Sequence, residues 1–198
     1  KLFAGTELGD GVYLTTDNGD SWTPMNSGLT NTYVISLLDY NSKLFAGTAG
    51  GLFVSADNGL SWEAVEMSSW TGGVVSSLAI AGNNILASMW TGPILLSSDG
   101  GTTWTPVSGI PDGVTGKSFD QVGSDHFVGI MGSGSQVGKV YRSTDDGMTW
   151  TSIGPDSSVW PAGVWVQSIV VYGSYLYAST VGFGLWRRPL SQITGVRD

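Results

Sequence analysis

The residues of this sequence best equipped for chemistry are its carboxylates and its flat aromatic rings, and four of the carboxylates share one recurring setting. A hydroxyl residue lies two positions before the Asp, Gly two after it, Ser or Thr four after it and Trp five after it. The copies run Thr15 to Trp22, Ser55 to Trp62, Ser97 to Trp104 and Ser143 to Trp150, with Asp17, Asp57, Asp99 and Asp145 separated by 40, 42 and 46 positions. Two chemistries suit such a string. Asp17-Asn18-Gly19-Asp20 and Asp145-Asp146-Gly147 look like half of a Ca²⁺ loop, but the further oxygen ligands and the distal bidentate Glu that Ca²⁺ takes are missing. A tight chain reversal suits it better: the carboxylate accepts backbone N–H bonds, Gly supplies φ > 0 at little cost, and the Trp ring anchors the returning strand by burial. Asp17, Gly19, Trp22, Asp57, Gly59, Trp62, Asp99, Gly101, Trp104, Asp145, Gly147 and Trp150 are therefore expected to be structural. No metal site is expected.

Other reactive constellations are sparse. His126 is the single histidine; it has no partner at metal-ligand spacing and no Ser on a nucleophile elbow, so a structural role is expected. There is no Cys, hence no disulfide framework and no thiolate. The Gly-rich stretch Gly132-Ser133-Gly134-Ser135-Gln136-Val137-Gly138 has no Lys and opens no helix, so it reads as a strand connection and not a phosphate cradle. No cofactor is expected. Eight Lys and Arg against sixteen Asp and Glu leave a net charge of −8, which repels a phosphate backbone and argues against nucleic acid as a partner. No apolar run approaches the roughly 18 residues of a membrane-spanning helix, and no basic then apolar leader opens at Lys1. Membrane insertion is not expected.

Turns of this kind have to be held by strands. Thirty Gly, nine Trp and only 12% charged residues among 198 describe a β-rich, turn-rich chain. Two further strings keep step with the Asp string. One comprises Leu2-Phe3-Ala4-Gly5-Thr6, Leu44-Phe45-Ala46-Gly47-Thr48, Ile85-Leu86-Ala87-Ser88-Met89, the weaker Phe127-Val128-Gly129-Ile130 and Leu176-Tyr177-Ala178-Ser179-Thr180. The other begins with Ser and an apolar residue at Ser36-Leu37, Ser77-Leu78, Ser118-Phe119 and Ser168-Ile169. Each unit reads as four short strands, in the second unit Val34 to Tyr40, Lys43 to Thr48, Gly51 to Ser55 and Ser61 to Val65. Four strands recurring every 40 to 50 residues, with no 3.6-residue apolar period, predict an all-β fold: a β-propeller of four-stranded antiparallel blades, the first strand lining the channel and the fourth on the rim.

The propeller is expected over 1–190, with partial blades at 1–25 and 164–190, full blades at 34–66, 74–107 and 116–153, and a C-terminal linker at 191–198. Lys1 is expected to be an artificial start and Asp198 to lie close to a domain end. These four and a half blades either form an open arc of a larger ring or close as a five-bladed ring through pairing of the terminal half-blades. An open arc would bare the blade-packing residues Phe3, Tyr13, Tyr177 and Trp186, to be covered by the remaining blades of a parent chain, a second copy or a partner.

In a propeller, the loops from strand four to the next strand one and those from strand two to strand three emerge on one face, opposite the Asp turns. Aromatics that the repeat does not require fall in these loops: Tyr33, Trp70, Trp160 and Trp165 in or beside the first kind, Trp90 and Phe183 in the second. With Glu7, Asp10, Glu66, Asp112 and Asp156 nearby, they are expected to form a surface for stacking a sugar or docking a peptide. The alternative is that Trp70 and Trp160 take the repeat position of Leu29 and plug a blade junction. Asp112 and Asp156 are included in the expected binding surface.

The eight-residue string resembles the Asp-box, or BNR repeat, of sialidases, of xyloglucan-cleaving hydrolases built from paired propellers, of the sortilin ectodomain and of photosystem II assembly factor-like propellers. The four copies carry the defining positions, and with the two accompanying strings the resemblance spans almost the whole chain. It implies the propeller fold strongly and a function weakly. The closing Pro189-Leu190-Ser191-Gln192-Ile193-Thr194-Gly195-Val196 is similar to the end of secreted propellers of the Bacteroidetes type, before a type IX sorting domain, which implies a secreted or cell-surface bacterial protein. A sialidase needs three converging Arg, whereas the four here are Arg142, the adjacent Arg187 and Arg188, and Arg197 in the tail. A paired-propeller hydrolase needs two carboxylates about 5 to 9.5 Å apart across a cleft between two propellers. On this inventory no catalytic residue is assigned. The expectation is a non-catalytic secreted or surface propeller, a scaffold or binding module for protein or carbohydrate. The alternative is part of a xyloglucanase-like or sialidase-like glycoside hydrolase.

Overall fold

Short apolar runs punctuated by left-handed turn residues assemble this chain from hairpins. Between Tyr40 and Lys43 the turn Asn41-Ser42 has φ of 49° and 63°, the mirror-image turn whose twist matches that of paired strands. The computed structural model describes residues 1–132, 138–154 and 164–193. It is all-β, with five antiparallel sheets in which sequential strands lie side by side. The first holds β1 (Leu2–Thr6), β2 (Gly11–Thr15) and β3 (Thr23–Pro24); the second β4 (Val34–Tyr40), β5 (Lys43–Thr48), β6 (Gly51–Ser55) and β7 (Glu63–Val65). The third comprises β8 (Val75–Ala81), β9 (Asn84–Met89), β10 (Ile94–Ser97) and β11 (Thr105–Pro106), and the fourth β12 (Thr115–Val122), β13 (Asp125–Met131), β14 (Val140–Ser143) and β15 (Thr151–Gly154). The fifth holds β16 (Val166–Tyr172), β17 (Tyr175–Thr180) and β18 (Gly184–Pro189). The outer strands β3 and β11 stop after two residues at Pro24 and Pro106, which have no N–H to continue a ladder.

The sheets pack in chain order as propeller blades, and β4, β8, β12 and β16 adjoin one another along the inner edge. Each junction encloses its own core. Val12, Leu44, Ala46, Phe53 and Trp62 fill the first junction; Phe45, Leu52, Ile85, Leu95 and Trp104 the second. Leu86, Ile94, Val128, Tyr141 and Trp150 fill the third, and Phe127, Val140, Ile169 and Leu176 the fourth. The two-residue period of a strand sends alternate side chains to opposite junctions, so Leu44 faces the blade before it and Phe45 the blade after.

The eight-residue string closes each turn by the same bonds. In the second blade Ser55 Oγ donates to Asp57 at 2.8 Å, and the Asp57 carboxylate also accepts from Ser61 N at 2.8 Å and Ser61 Oγ at 2.5 Å. Ser55 Oγ in turn accepts from Gly59 N at 2.7 Å. The equivalent donors reach Asp17, Asp99 and Asp145. The residue after each Asp is left-handed, at Asn18, Asn58, Gly100 and Asp146, and so is the following Gly. Because Asp57 engages both the N–H and the hydroxyl of Ser61, β7 begins at Glu63 and not at Ser61 as expected. The same bonds hold the carboxylates well below their usual range: the Ser61 hydroxyl first, then its N–H, bring Asp57 to about 2. The Thr103 hydroxyl and N–H do the same for Asp99. At Asp145 burial pushes upward but is outweighed by the Thr149 hydroxyl and N–H.

The turns also latch neighbouring blades. Lys43 Nζ donates to Gly100 O at 3.3 Å, and Asn84 Nδ2, at the same place one blade on, donates to Asp146 O at 2.9 Å. The fifth blade lacks the string. In the fourth blade Asp125, which occupies the Lys43 and Asn84 position, instead binds Arg142 at 2.7 Å, and Arg142 reaches Ile193 O, just past the fifth blade, at 2.9 Å. Gly109 has φ of 88° and lies against the backbone of the next string: a Cβ there would stand 1.9 Å from Trp150 O.

The structure adopts the open arc. The first and last sheets share no strand pairing among the described residues, and their outer faces are bare. Trp62, Trp104 and Trp150 are 3%, 5% and 2% exposed, whereas Trp22 at the same place in the first blade is 42% exposed. Leu185 is 69% exposed, while its counterparts Val12, Leu52, Ile94 and Val140 are buried. The expected anchoring role of Trp22 thus lacks the preceding blade it requires.

Candidate functional site

The candidate surface is built at the ends of the blades opposite the Asp turns. In the second, third and fifth blades the loop from the strand that starts with Lys43, Asn84 or Tyr175 is bonded to the residue just before the blade's innermost strand. Ala49 N donates to Tyr33 O at 3.0 Å, Trp90 N to Val74 O at 2.8 Å and Val181 N to Trp165 O at 3.0 Å. These bonds place Tyr33, Trp90 and Trp165 on one end of the molecule, with Phe183 two residues beyond Val181. Tyr33, Trp70, Trp90, Trp165 and Phe183 are all 37–45% exposed, so each ring offers part of a face to solvent. Trp160 and Asp156 lie outside the described residues.

The third blade carries the densest part. Trp70 ends a short 3₁₀ turn, Ser68–Trp70, and its ring covers Gly92, where a Cβ would stand 3.2 Å from the indole. In this connection Met67 occupies the buried core, and Trp70 remains at the surface. Between Trp90 and Gly92, Thr91 has φ of 54°, an unfavourable region for a β-branched residue. The conformation is held from both sides: Thr91 N donates to Thr115 Oγ1 at 3.0 Å, and Gly92 N donates to Met89 O at 3.4 Å. Gly92 also forms a β-bridge with Val114, which brings Asp112 to the same loop cluster. A strained loop fixed by its neighbours pre-sets the position of the indole it carries.

Lys117 joins this cluster, and sequence reasoning missed it. The pairing of β12 with β13 shifts register between Gly116 and Ser118, so Lys117 is the extra residue of a β-bulge. The other inner strands shift at the same place, leaving Ile35, Ser76 and Gln167 unpaired. A bulge re-aims its side chain. In the fourth blade this brings Lys117 Nζ to 5.1 Å from the Trp90 ring centroid, within cation–π range. The available signal was the one-residue offset before each Ser-apolar pair.

The carboxylates are less concentrated. Glu7, Asp10, Glu66 and Asp112 are exposed, and Glu66 accepts a bond from Thr71 Oγ1 at 3.1 Å. His126 lies at the opposite end of the blade, 5% exposed, with Nε2 3.6 Å from Asp146 Oδ1, beside a cleft of about 320 Å³ that Asp120 and Gln121 also line. Among the described residues no three His, Asp or Glu side chains group as metal ligands. No helix among them is long and apolar enough to cross a membrane.

The profile of a family described as the DUF6242 beta propeller domain matches residues 2–119, more than half of the chain. The chain belongs to that family. This DUF6242 propeller is also 29% identical over 191 residues to a xyloglucanase of Hypocrea jecorina, covering 93% of the chain and 20% of the relative. It is 28% identical over 196 residues to an oligoxyloglucan-reducing end-specific xyloglucanase of Emericella nidulans, covering 88% of the chain and 23% of the relative. Among solved structures it is similar to an ancestral GH74 enzyme, at 26% identity and a TM-score of 0.73, over 96% of this chain and 28% of that one. The chain therefore spans about a fifth to a quarter of the curated relatives it matches. These relatives overturn the expectation of a non-catalytic scaffold and of a protein that is no enzyme. What the DUF6242 propeller resembles along nearly its whole length is part of an enzyme, as in the glycoside-hydrolase alternative.

Proposed function

We propose that this chain supplies several blades of a glycoside hydrolase acting on xyloglucan or a related β-glucan, with Tyr33, Trp70, Trp90, Trp165 and Phe183 as its glucan-facing surface. The observation that carries the reading is the similarity, along about nine-tenths of this chain, to a fifth or so of each of two xyloglucanases. Half-exposed rings on one blade end support it, because flat rings contribute contact area to a polymer chain at little entropic cost. Asp112 belongs to that surface, and the proposal extends it to Trp160 and Asp156. A polymeric substrate too large to enter a cell favours a secreted or cell-surface place of action. The Asp-containing turns are, in this reading, of the Asp-box type; the four equivalent bonding patterns support that. Further blades cover the end faces that bare Trp22 and Leu185.

Affinity electrophoresis in gels containing xyloglucan tests the reading. Xyloglucan should retard the protein, and W90A and W165A should each weaken retention by about two- to tenfold, the range of one aromatic contact. Absence of retardation, or retention indifferent to both substitutions, would refute it. Release of reducing sugar from xyloglucan by the longer polypeptide would complete the assignment.

A further inference from the structure

Two cations among the described residues lie over rings, Arg187 over Tyr175 and Lys117 over Trp90, and of these Lys117 adjoins the aromatic cluster of the candidate surface. Arg142 is paired with Asp125, and Lys43 is bonded to Gly100 O. Lys117, half-buried on the innermost strand of its blade, has no carboxylate within 4.0 Å among the described residues, and the Trp90 ring is its close partner. A ring face offsets only part of what a carboxylate or full hydration supplies to an ammonium. Three donors remain for an incoming acceptor. They stand beside an indole that is itself half-exposed and held by the strained Thr91 loop. The bulge that aims Lys117 recurs in the other full blades and in the last, but this position is Ile35, Ser76 or Gln167 there. The charge is thus particular to the fourth blade and the cluster it adjoins.

We propose that Trp90 and Lys117 form one subsite that selects a glycan unit bearing a carboxylate, such as a glucuronosyl residue. The ammonium, which lies over the Trp90 ring, donates to the carboxylate oxygens, and the part of the indole that Lys117 leaves uncovered packs against the sugar ring. A neutral glucose unit can offer Lys117 only hydroxyl acceptors, whereas a carboxylate adds the Coulomb attraction of a full opposite charge. This inference rests on the glucan-binding reading of the same surface and specifies what one part of it prefers.

Calorimetric titration with a matched pair, cellotetraose and the same oligosaccharide with one unit oxidised at C6 to glucuronate, tests it. The protein should bind the oxidised sugar about fivefold more tightly at low salt, the scale of one partly screened ion pair. Raising NaCl to about 0.5 M should shrink the preference, since screening then acts over a few ångströms. K117M should bring the two affinities together, K117R should keep the preference, and W90A should weaken both sugars. Equal affinities in the unsubstituted protein, or a preference that survives K117M in a protein of unchanged melting temperature, would overturn the subsite while leaving glucan binding intact. Failure of both sugars to bind would overturn the subsite and the glucan reading together. If K117M does not fold, a K117R protein without the preference would overturn the proposal.

Discussion

Trp22 and Trp150 hold the same place in the eight-residue string, and the structure assigns them unequal energies. Trp150 is 2% exposed, packs among Leu86, Ile94, Val128 and Tyr141, donates Nε1 to Gly147 O at 2.8 Å and meets Phe119 edge-on at 6.4 Å between centroids. Truncation to Ala removes a full ring from a junction between two blades, at about 3–5 kcal/mol for a buried Trp. The edge-on contact of about 0.5–1.5 kcal/mol points to the upper part of that range. Trp22 has no preceding blade and is 42% exposed; W22A removes about half the buried surface and leaves no enclosed cavity, so about 1–2 kcal/mol is expected. Urea denaturation of the 198-residue chain and the two variants measures the difference through the transition midpoint at constant slope. In thermal melts W150A should lie about 6–20 °C below the unsubstituted chain. Equal losses for W22A and W150A would refute the argument, because they would mean that Trp22 is buried in solution and the arc is not open.

Acid should destabilise the protein through its string carboxylates. Their folded pKa lies below the ordinary value of about 3.9, at about 2 for Asp57 and Asp99, so their contribution is complete above about pH 4 and is lost as pH falls through about 2. A melting-temperature profile from pH 5 to pH 2 should fall more steeply for the unsubstituted chain than for D57N. EDTA and added Ca²⁺ should leave the melting temperature unchanged, since hydroxyl and N–H donors already occupy the Asp oxygens; a chelator-induced drop would show metal in the turns. G109A should cost more than about 3 kcal/mol, because φ of 88° is combined with a Cβ 1.9 Å from Trp150 O. G123A, left-handed but facing open space, should cost about 1–2 kcal/mol; similar losses for the two would contradict the close approach. Sedimentation at micromolar concentration should show association of the 198-residue chain through the bare faces around Trp22 and Leu185, and a monomer resistant to protease would contradict that.

The repeat was legible in the sequence because each blade solves the same local problem. Hydroxyl, Asp, Gly and Trp must lie at fixed short separations for Asp57 to bind Ser55 and Ser61 while Gly59 turns the chain, so the string survives in every blade that uses it. The alternation that sends Leu44 and Phe45 to opposite junctions is equally local, and strand number and blade order followed from it. The kinship to xyloglucanases was not legible by inventory, because a site shared by several blades joins residues far apart in a chain, with no spacing to betray it.

Burial of Trp22 against Trp150 is a property of neighbouring blades and not of the string, and only the packed arc decided it. In Asp145-Asp146-Gly147 the Asp145 oxygens accept from Ser143 and Thr149, a bonding pattern set by near neighbours in the chain. Lys117 is the sharpest contrast. In the sequence it is one Lys before a Ser-Phe pair; in the fold a bulge turns it across a blade junction to the ring of Trp90. Short-range hydrogen bonds and strand alternation are fixed by neighbours in the chain, and so they can be read from it. The direction of a bulged side chain and the cover over a blade face depend on residues tens of positions away, and only the tertiary structure brings those together.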